Sequence, residues 1–373
     1  MIIARIWIYC VVSILATGLA VTSASAAEKN DLEIIHIDVG QGDSTLIISP
    51  SGKTMLVDGG QNGKGKKVVV PLLEKLGIQH LDYVIATHYD SDHIGGLDEV
   101  LKFLKMPPGQ ILDTGSSGPL KPRPLKTEKG NDTRYADYVQ AAGLEITREA
   151  TPTGRGIIDL GDGVIVSIVA SNGCVSGAGE DQYRPRLDEN GASIALVITH
   201  GTFDYFIGGD LTGGGPSGEK ITENMETPVA DKVGHVDALR LSHHGSSTSS
   251  NKYFLKTLQP QVAFISAGDG YPNTKYHHPT RDVLDRLHNI SPGGLKAAYA
   301  TNKGETDGGL TAKDKALVSV VKKHIVLRSD GKHFSVNGDE YLTDGAISPA
   351  AAATVPSSES CSSHRRKPVH VDS

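Results

Sequence analysis

An α/β sandwich, with sheets flanked by helices, is the fold this sequence predicts, and three observations predict it. Short alternating apolar runs follow one another in meanders near the start, and later runs of the same kind are separated by helical stretches. Several of the runs end in Gly, Asp or His, where a strand gives way to a loop.

Taken in order, Leu32 to Val39 alternates as a strand does and stops at the turn Gly40-Gln41-Gly42-Asp43. Ser44 to Ser49 and Thr54 to Val57 follow across Pro50-Ser51-Gly52, which makes a meander closed by Asp58-Gly59-Gly60. A helix is expected over Lys66 to Leu76, a strand over Asp82 to Thr87 and an amphipathic helix over Leu97 to Leu104. From Met106 the composition shifts to Pro, Gly, Lys and Ser, with one helix near Tyr135 to Ala142. With too few apolar residues for a core of its own, 106–156 reads as a long insertion lying over the core. Strands return at Ile157 to Leu160, Val164 to Ala170, Ile194 to Thr199 and Phe203 to Ile207, the last running into Gly208-Gly209-Asp210. Gly213 to Pro228 reads as a Gly-rich link. Ala238 to Leu241 leads into Ser242-His243-His244-Gly245-Ser246, and Gln261 to Ser266 is a further strand, with helices at Lys252 to Leu258 and Arg281 to Leu287. Late β segments fall at Ala297 to Thr301, His324 to Arg328 and His333 to Val336. Residues 346–373, rich in Ala, Ser and Pro, are expected to be a disordered tail.

A chain of 373 residues can bury one large core or two medium ones, and 38% hydrophobic with 21% charged residues is ordinary for a soluble globular protein. The formal charge of −6 supplies no global basic field, so any nucleic-acid chemistry has to rest on a local site. Lys102, Lys105, Lys121, Arg123, Lys126 and Lys129 form a local basic set that reads either as a track for a phosphate backbone or as a solvated face. It has little aromatic interleaving for base stacking. Arg5, the apolar stretch Ile6 to Ala20 and Ala24-Ser25-Ala26 have the order of a signal peptide over 1–27, cleaved after Ala26 or Ala27, with an uncleaved anchor helix as the competing reading. The expected location is periplasmic or secreted, and residues 28–345 are expected to form one domain with no integral membrane segment.

The segment Thr87-His88-Tyr89-Asp90-Ser91-Asp92-His93-Ile94-Gly95-Gly96 concentrates imidazoles and carboxylates directly after an apolar strand. Borderline divalent cations take nitrogen and oxygen donors at about 2.0–2.2 Å, so a short loop of this kind suits one or two ions. Gly95-Gly96 is expected to let the backbone turn tightly before a helix. Asp210 and the His243/His244 pair stand at two other strand ends, and a carboxylate such as Asp210 can bridge two cations through its two oxygens.

In that order these residues resemble the metallo-β-lactamase superfamily, and more narrowly its ComEC-type branch, found on bacterial DNA-uptake channels and as free-standing secreted hydrolases. The matching pieces are His36 to Ser44, Val57 to Gly60, Thr87 to Gly96, Asn190 to Ser193, Gly209-Asp210, Leu241 to Ser246 and Tyr276 to Pro279, spread over roughly 32–340. The resemblance implies the αββα metallo-β-lactamase sandwich. It implies that His88 and Asp90 hold a first metal, that Asp92, His93 and His243 hold a second, and that Asp210 bridges them. His244 would then face a substrate oxygen and His278 the substrate or leaving group. A first-metal histidine has no counterpart here, and Asn190-Gly191-Ala192-Ser193 matches the branch's substitute. Asp90, where the wider superfamily has His, is a harder donor, so the two divalent ions expected are Zn²⁺ or its rival Mn²⁺.

The chemistry expected of such a site is hydrolysis by metal-activated water, with Asp92, Asp210, His244 and His278 as the catalytic set. DNA or another extracellular phosphodiester is the expected substrate, and no protein partner is predicted. A small ester, lactone or lactam hydrolase of the same fold, and a non-catalytic binding module, are the rival readings.

Overall fold

Strand alternation sorts the apolar residues into three layers, and these layers place every element. The computed structural model describes residues 31–115, 123–143, 147–150, 156–176, 187–218, 220–268, 277–290, 294–304 and 309–343; the expected signal segment and tail lie outside them. The N-terminal half runs β1 (Leu32–His36), β2 (Thr45–Ile48), β3 (Thr54–Val57), α1 (Val70–Lys75), β4 (Tyr83–Ile85), α2 (Ser91–Ile94), α3 (Leu97–Phe103), β5 (Gln110–Asp113), α4 (Arg134–Ala142) and β6 (Thr147–Glu149). Next come β7 (Ile157–Asp159), β8 (Val164–Ser171), β9 (Cys174–Val175), β10 (Ala195–His200), β11 (Phe203–Ile207), β12 (Pro216–Ser217), β13 (Lys220–Ile221), α5 (Glu226–Val233) and β14 (Ala238–Arg240). The chain continues through α6 (Lys252–Leu258), β15 (Val262–Ile265), α7 (Arg281–His288), β16 (Ala297–Ala300), α8 (Ala312–Leu317), β17 (Val318–Val320), β18 (Ile325–Ser329), β19 (His333–Val336) and β20 (Asp339–Leu342).

One sheet has the order β20-β19-β18-β1-β2-β3-β4-β5-β6, and the other β17-β16-β15-β14-β11-β10-β8-β7, with β9 paired to β8. Between them Leu32, Ile34, Met55 and Leu327 of the first sheet meet Val166, Leu196, Ile198, Tyr205 and Phe264 of the second in a shared apolar layer. Alternation turns Ile35, Leu46, Leu56 and Val84 outward onto Leu72 and Leu73 of α1, Val100 of α3 and Tyr138 of α4. On the far side Val197, Phe206, Leu239 and Ala263 pack against Val229 and Val233 of α5, Phe254 and Leu258 of α6, and Leu284 of α7. The architecture is therefore αββα, the metallo-β-lactamase fold.

The stretch 106–156 departs from the sequence expectation. It does not lie over the core as an insertion: β5 pairs in parallel with β4 and β6 with β5, so the segment extends the first sheet through a crossover that contains α4. Buried Ile111 and Leu112 on β5 and Tyr138 on α4 supply the apolar contacts that hold it there. The Gly-rich stretch before β14 likewise carries α5, whose Val229, Ala230 and Val233 are buried. Among the described residues no helix is long and apolar enough to cross a membrane.

Leu196, fully buried between the sheets, and Leu342, 65% exposed on the edge strand β20, give a direct contrast. Leu196→Ala is expected to lower the unfolding free energy by about 2–5 kcal/mol. Leu342→Ala should change it by no more than about 0.5 kcal/mol, both read by denaturant titration.

Candidate metal centre

The donor loop leaves β4 at its carboxyl end and is pinned from below. Asp58, just after β3, accepts the Thr87 backbone N–H at 2.9 Å and the Thr87 hydroxyl at 2.8 Å. Its Oδ2 also lies 2.9 Å from His93 Nδ1. From the side, the Asp43 N–H donates to the Asp92 carbonyl at 3.1 Å, and a Cβ on Gly42 (φ 131°) would lie 2.5 Å from that same oxygen. Gly95 and Gly96 form the expected turn, between α2 and α3, but not through a conformation reserved for glycine. Gly95 has φ −61° and Gly96 φ −101°, values open to any residue. Their lack of a side chain matters for close packing, since a Cβ on Gly96 would come within 2.2 Å of the Gly59 carbonyl.

Asp210 follows β11, and its backbone N–H donates to Ser193 Oγ at 3.0 Å. After β14 the chain enters a single turn in which His243 (φ 48°, ψ 44°) and His244 (φ 54°, ψ 18°) are both left-handed. That conformation costs about 1–2 kcal/mol per L-residue. It swings two adjacent imidazoles to the two sides of Asp210.

The donors thus divide into two groups about the Asp210 carboxylate. On one side Asp210 Oδ1 lies 3.1 Å from His93 Nε2 and 3.8 Å from His244 Nε2, and His244 Nε2 lies 3.3 Å from Asp92 Oδ2. On the other, Asp210 Oδ2 lies 3.6 Å from His243 Nε2 and 3.8 Å from His88 Nε2, which is 3.7 Å from Asp90 Oδ2. His243, expected to complete the group of Asp92 and His93, falls instead with His88 and Asp90, and His244 takes the position assigned to it. The reason is the left-handed turn, which reverses the side order that a continued strand would impose. Asn190 Nδ2 is 3.5 Å from His243 Nε2, at the edge of the His88 group. The His278 ring, 5.6 Å from that of His243 and 6.0 Å from that of His244, closes the same wall.

Each imidazole is oriented by its other nitrogen, the arrangement by which metal-ligating histidines are held. His93 Nδ1 meets Asp58, His244 Nδ1 donates to the Ser266 carbonyl at 3.0 Å, His243 Nδ1 lies 2.7 Å from Thr248 Oγ1, and His88 Nδ1 lies 3.2 Å from Thr87 Oγ1. His88 Nε2, His93 Nε2, His244 Nε2 and Asp210 Oδ1 are buried and make no hydrogen bond. Buried polar atoms are nearly always paired, so these four, gathered about one carboxylate without a hydrogen bond, fit a place for cations.

Electrostatics agrees with that fit. Burial disfavours a charged His93, yet Asp210 and Asp58 push its pKa well above the imidazole range. Burial acts the same way on His244, and Asp210, Asp43 and Asp92 push it up to about 9. Asp210, which burial alone would raise, is held well below the carboxylate range by His93, His243 and His244. A cluster that draws protons onto its imidazoles carries surplus negative charge, which divalent ions would balance. Burial and the neighbouring imidazoles of His244 and His243 bring His278 down to about 3.

Asp43, His93, Asp210 and His244 bring donor atoms within 4.8 Å of one another. Asp43 nevertheless faces the Nδ1 sides of the rings, 3.9 Å from His93 and 3.7 Å from His244, away from Asp210. It is better read as support, paired at 3.2 Å with Nη2 of the fully buried Arg240, whose Nη1 donates to Thr45 Oγ1 at 3.2 Å. Sequence reasoning gave Asp43 either a place on the pocket rim or a turn-stabilising role, and it did not single out Arg240. The available signal was an arginine inside the apolar strand Ala238 to Leu241.

The basic set expected along 102–129 is partly spent: Lys102 pairs with Asp98 at 2.7 Å, Lys126 pairs with Asp132, and Arg123 reaches Asp90; Lys121 lies outside the described residues.

A family model described as the metallo-beta-lactamase superfamily matches residues 37–167. ComE operon protein 3 of Bacillus subtilis (strain 168) is 29% identical over 275 residues, which cover 69% of this chain and 31% of that protein. Competence protein ComA of Neisseria gonorrhoeae is 27% identical over 304 residues, covering 80% and 36%. The chain thus spans about a third of the length of these relatives. The metallo-beta-lactamase fold protein YhfI from Bacillus subtilis, a solved structure, aligns at 12% identity with a TM-score of 0.43, covering 80% of this chain and 100% of that one.

Arg240→Met leaves Asp43 and Asp58 buried without their cation, and it is expected to destabilise the protein by about 3–5 kcal/mol. Urea unfolding checks this; a loss below about 1 kcal/mol would show that the pair carries little of the fold's stability.

Proposed function

We propose that this chain, which carries a metallo-β-lactamase domain, is a metal-dependent phosphodiesterase acting on DNA or another extracellular phosphodiester. One observation carries the reading: the buried Nε2 atoms of His88, His93 and His244, which make no hydrogen bond, gather about the Asp210 carboxylate, whose Oδ1 makes none either. Similarity to ComE operon protein 3 and to competence protein ComA supports a nucleic-acid substrate. The signal-like residues 1–27 support action outside the cytoplasm.

In this reading Asp92, His93 and His244 hold one ion, His88, Asp90 and His243 hold the other, and Asp210 serves both. Zn²⁺ and Mn²⁺ both suit this mixed donor set. Divalent ions held there lower the pKa of a water toward about 7 and offset charge on phosphoryl oxygens. The protein's own part is orientation. Asp58 fixes the His93 ring, the Ser266 carbonyl fixes the His244 ring, and Ser193 fixes Asp210, whose two oxygens face the two donor groups. His278, on the wall beside His243 and His244, is placed to steady the phosphoryl or leaving-group oxygen.

The test is elemental analysis of the purified chain followed by assay on bis-p-nitrophenyl phosphate and linear DNA with added Mn²⁺ or Zn²⁺. Chelation should abolish turnover and either ion should restore it. Asp92→Ala with His93→Ala should lower kcat/KM by roughly 10³-fold or more, about 4 kcal/mol of transition-state stabilisation. Metal binding without cleavage of either substrate would favour a lactone or lactam hydrolase, and absence of metal under all conditions would favour a binding module.

The two-group assignment makes its own prediction. His244→Ala should lose the same equivalent of metal as His93→Ala, and His243→Ala the same equivalent as His88→Ala, read by equilibrium dialysis with Mn²⁺. The opposite pairing would restore the order expected from sequence.

A further inference from the structure

Arg123 stands on the crossover between β5 and α4, far in sequence from the donor loops, yet it touches one of them. Its Nη2 donates to Asp90 Oδ1 at 2.7 Å and lies 3.2 Å from Glu189 Oε2. Glu189 reaches the same loop with its other oxygen, accepting the Tyr89 backbone N–H at 2.8 Å. The next residue, Asn190, lies beside His243. A short chain of contacts therefore joins the crossover, the donor loop and the wall of the His88 group.

We propose that Arg123 is the residue that recognises the anionic oxygen of the substrate, a phosphoryl group, at the mouth of the His88 group. This inference rests on the phosphodiesterase reading. A guanidinium carries five N–H donors in a flat fork that matches phosphate oxygens. The contacts with Asp90 and Glu189 use only Nη2, so the three N–H groups on Nε and Nη1 make no hydrogen bond to a described residue. The side chain is 28% exposed, within reach of a ligand but fixed at one end by two carboxylates. With Asp90 Oδ2, the oxygen facing His88, given to a cation, less of that carboxylate's charge would fall on Arg123, leaving the guanidinium balanced mainly by Glu189 and its unused N–H groups open to an incoming anion. Fixing Nη2 in advance lowers the entropy lost when the substrate is bound.

The experiment compares wild type, Arg123→Ala and Arg123→Lys in the Mn²⁺-loaded full chain. It reads metal content, inorganic phosphate binding by calorimetry, and KM and kcat on bis-p-nitrophenyl phosphate. Arg123→Ala should weaken phosphate binding and raise KM by about 10-fold, with metal content unchanged and kcat within about threefold. Arg123→Lys should recover part of the loss, since it keeps the charge but not the fork. Unchanged phosphate affinity and KM in Arg123→Ala would overturn the proposal. So would a parallel loss of one metal equivalent, which would make Arg123 a support for Asp90 alone. A wild type that cleaves no phosphodiester would sink the phosphodiesterase reading. The calorimetry would still report on Arg123 by whether phosphate binds in an Arg123-dependent way.

Discussion

The constraint on which the rest of this structure depends is buried negative charge. Asp43, Asp58 and Asp210 are at most 3% exposed, and Asp90 and Asp92 stand beside them at the mouth. Desolvating a carboxylate is costly unless partners satisfy it. Arg240, buried at the end of β14, meets Asp43 and lies 4.0 Å from Asp58, so one cation in the second sheet holds down two anions of the first. With that pair settled, Asp58 can orient His93 and Thr87, and Asp43 can hold the turn against the donor loop. Asp210 has no such arginine, and its charge faces the imidazoles of His88, His93, His243 and His244.

The strands were legible wherever alternation was clean. Thr54–Val57, Phe203–Ile207 and His333–Val336 fall where their apolar pattern puts them. The pattern failed where burial needs few residues. β5 has only Ile111 and Leu112 as its apolar pair, set in a Pro- and Gly-rich context, and nothing local reveals that β4 waits beside it. α5 carries Pro228 in its first turn and a mean polarity that reads as a linker, although Val229 and Val233 complete the layer under the second sheet. In both cases the information lay in the partner.

The site divides along the same line. Its donors are legible because they cluster locally after strands, and the chemistry of the residue types speaks for itself. Which of two adjacent histidines faces which oxygen is decided by backbone torsion, and a left-handed pair at His243 and His244 has no signature in a sequence without glycine there. Arg240 and Glu189 were invisible for another reason, and Arg123 was legible only as one member of a basic set. Each acts on a loop 33 to 197 residues away, and such pairings exist only once the sheets have closed.

Topology explains why so many distant residues reach one place. In an antiparallel meander successive carboxyl ends alternate between the two edges of a sheet; in a parallel block they all fall on one edge. β3, β4, β5 and β6 are parallel, as are β11, β14, β15, β16 and β17. Asp58, His88, Asp210, His243 and Ser266 follow β3, β4, β11, β14 and β15 respectively, so each half of the site is the carboxyl edge of one parallel block. The two edges meet only because the apolar layer of Met55, Ile85, Leu196, Tyr205 and Phe264 sets the distance between the sheets. The separation of His93 from Asp210 is therefore a property of core packing as much as of the loops. A close-packed interior transmits small changes of volume rather than absorbing them. In this fold the spacing of the donor side chains and global stability are coupled through the same layer of side chains.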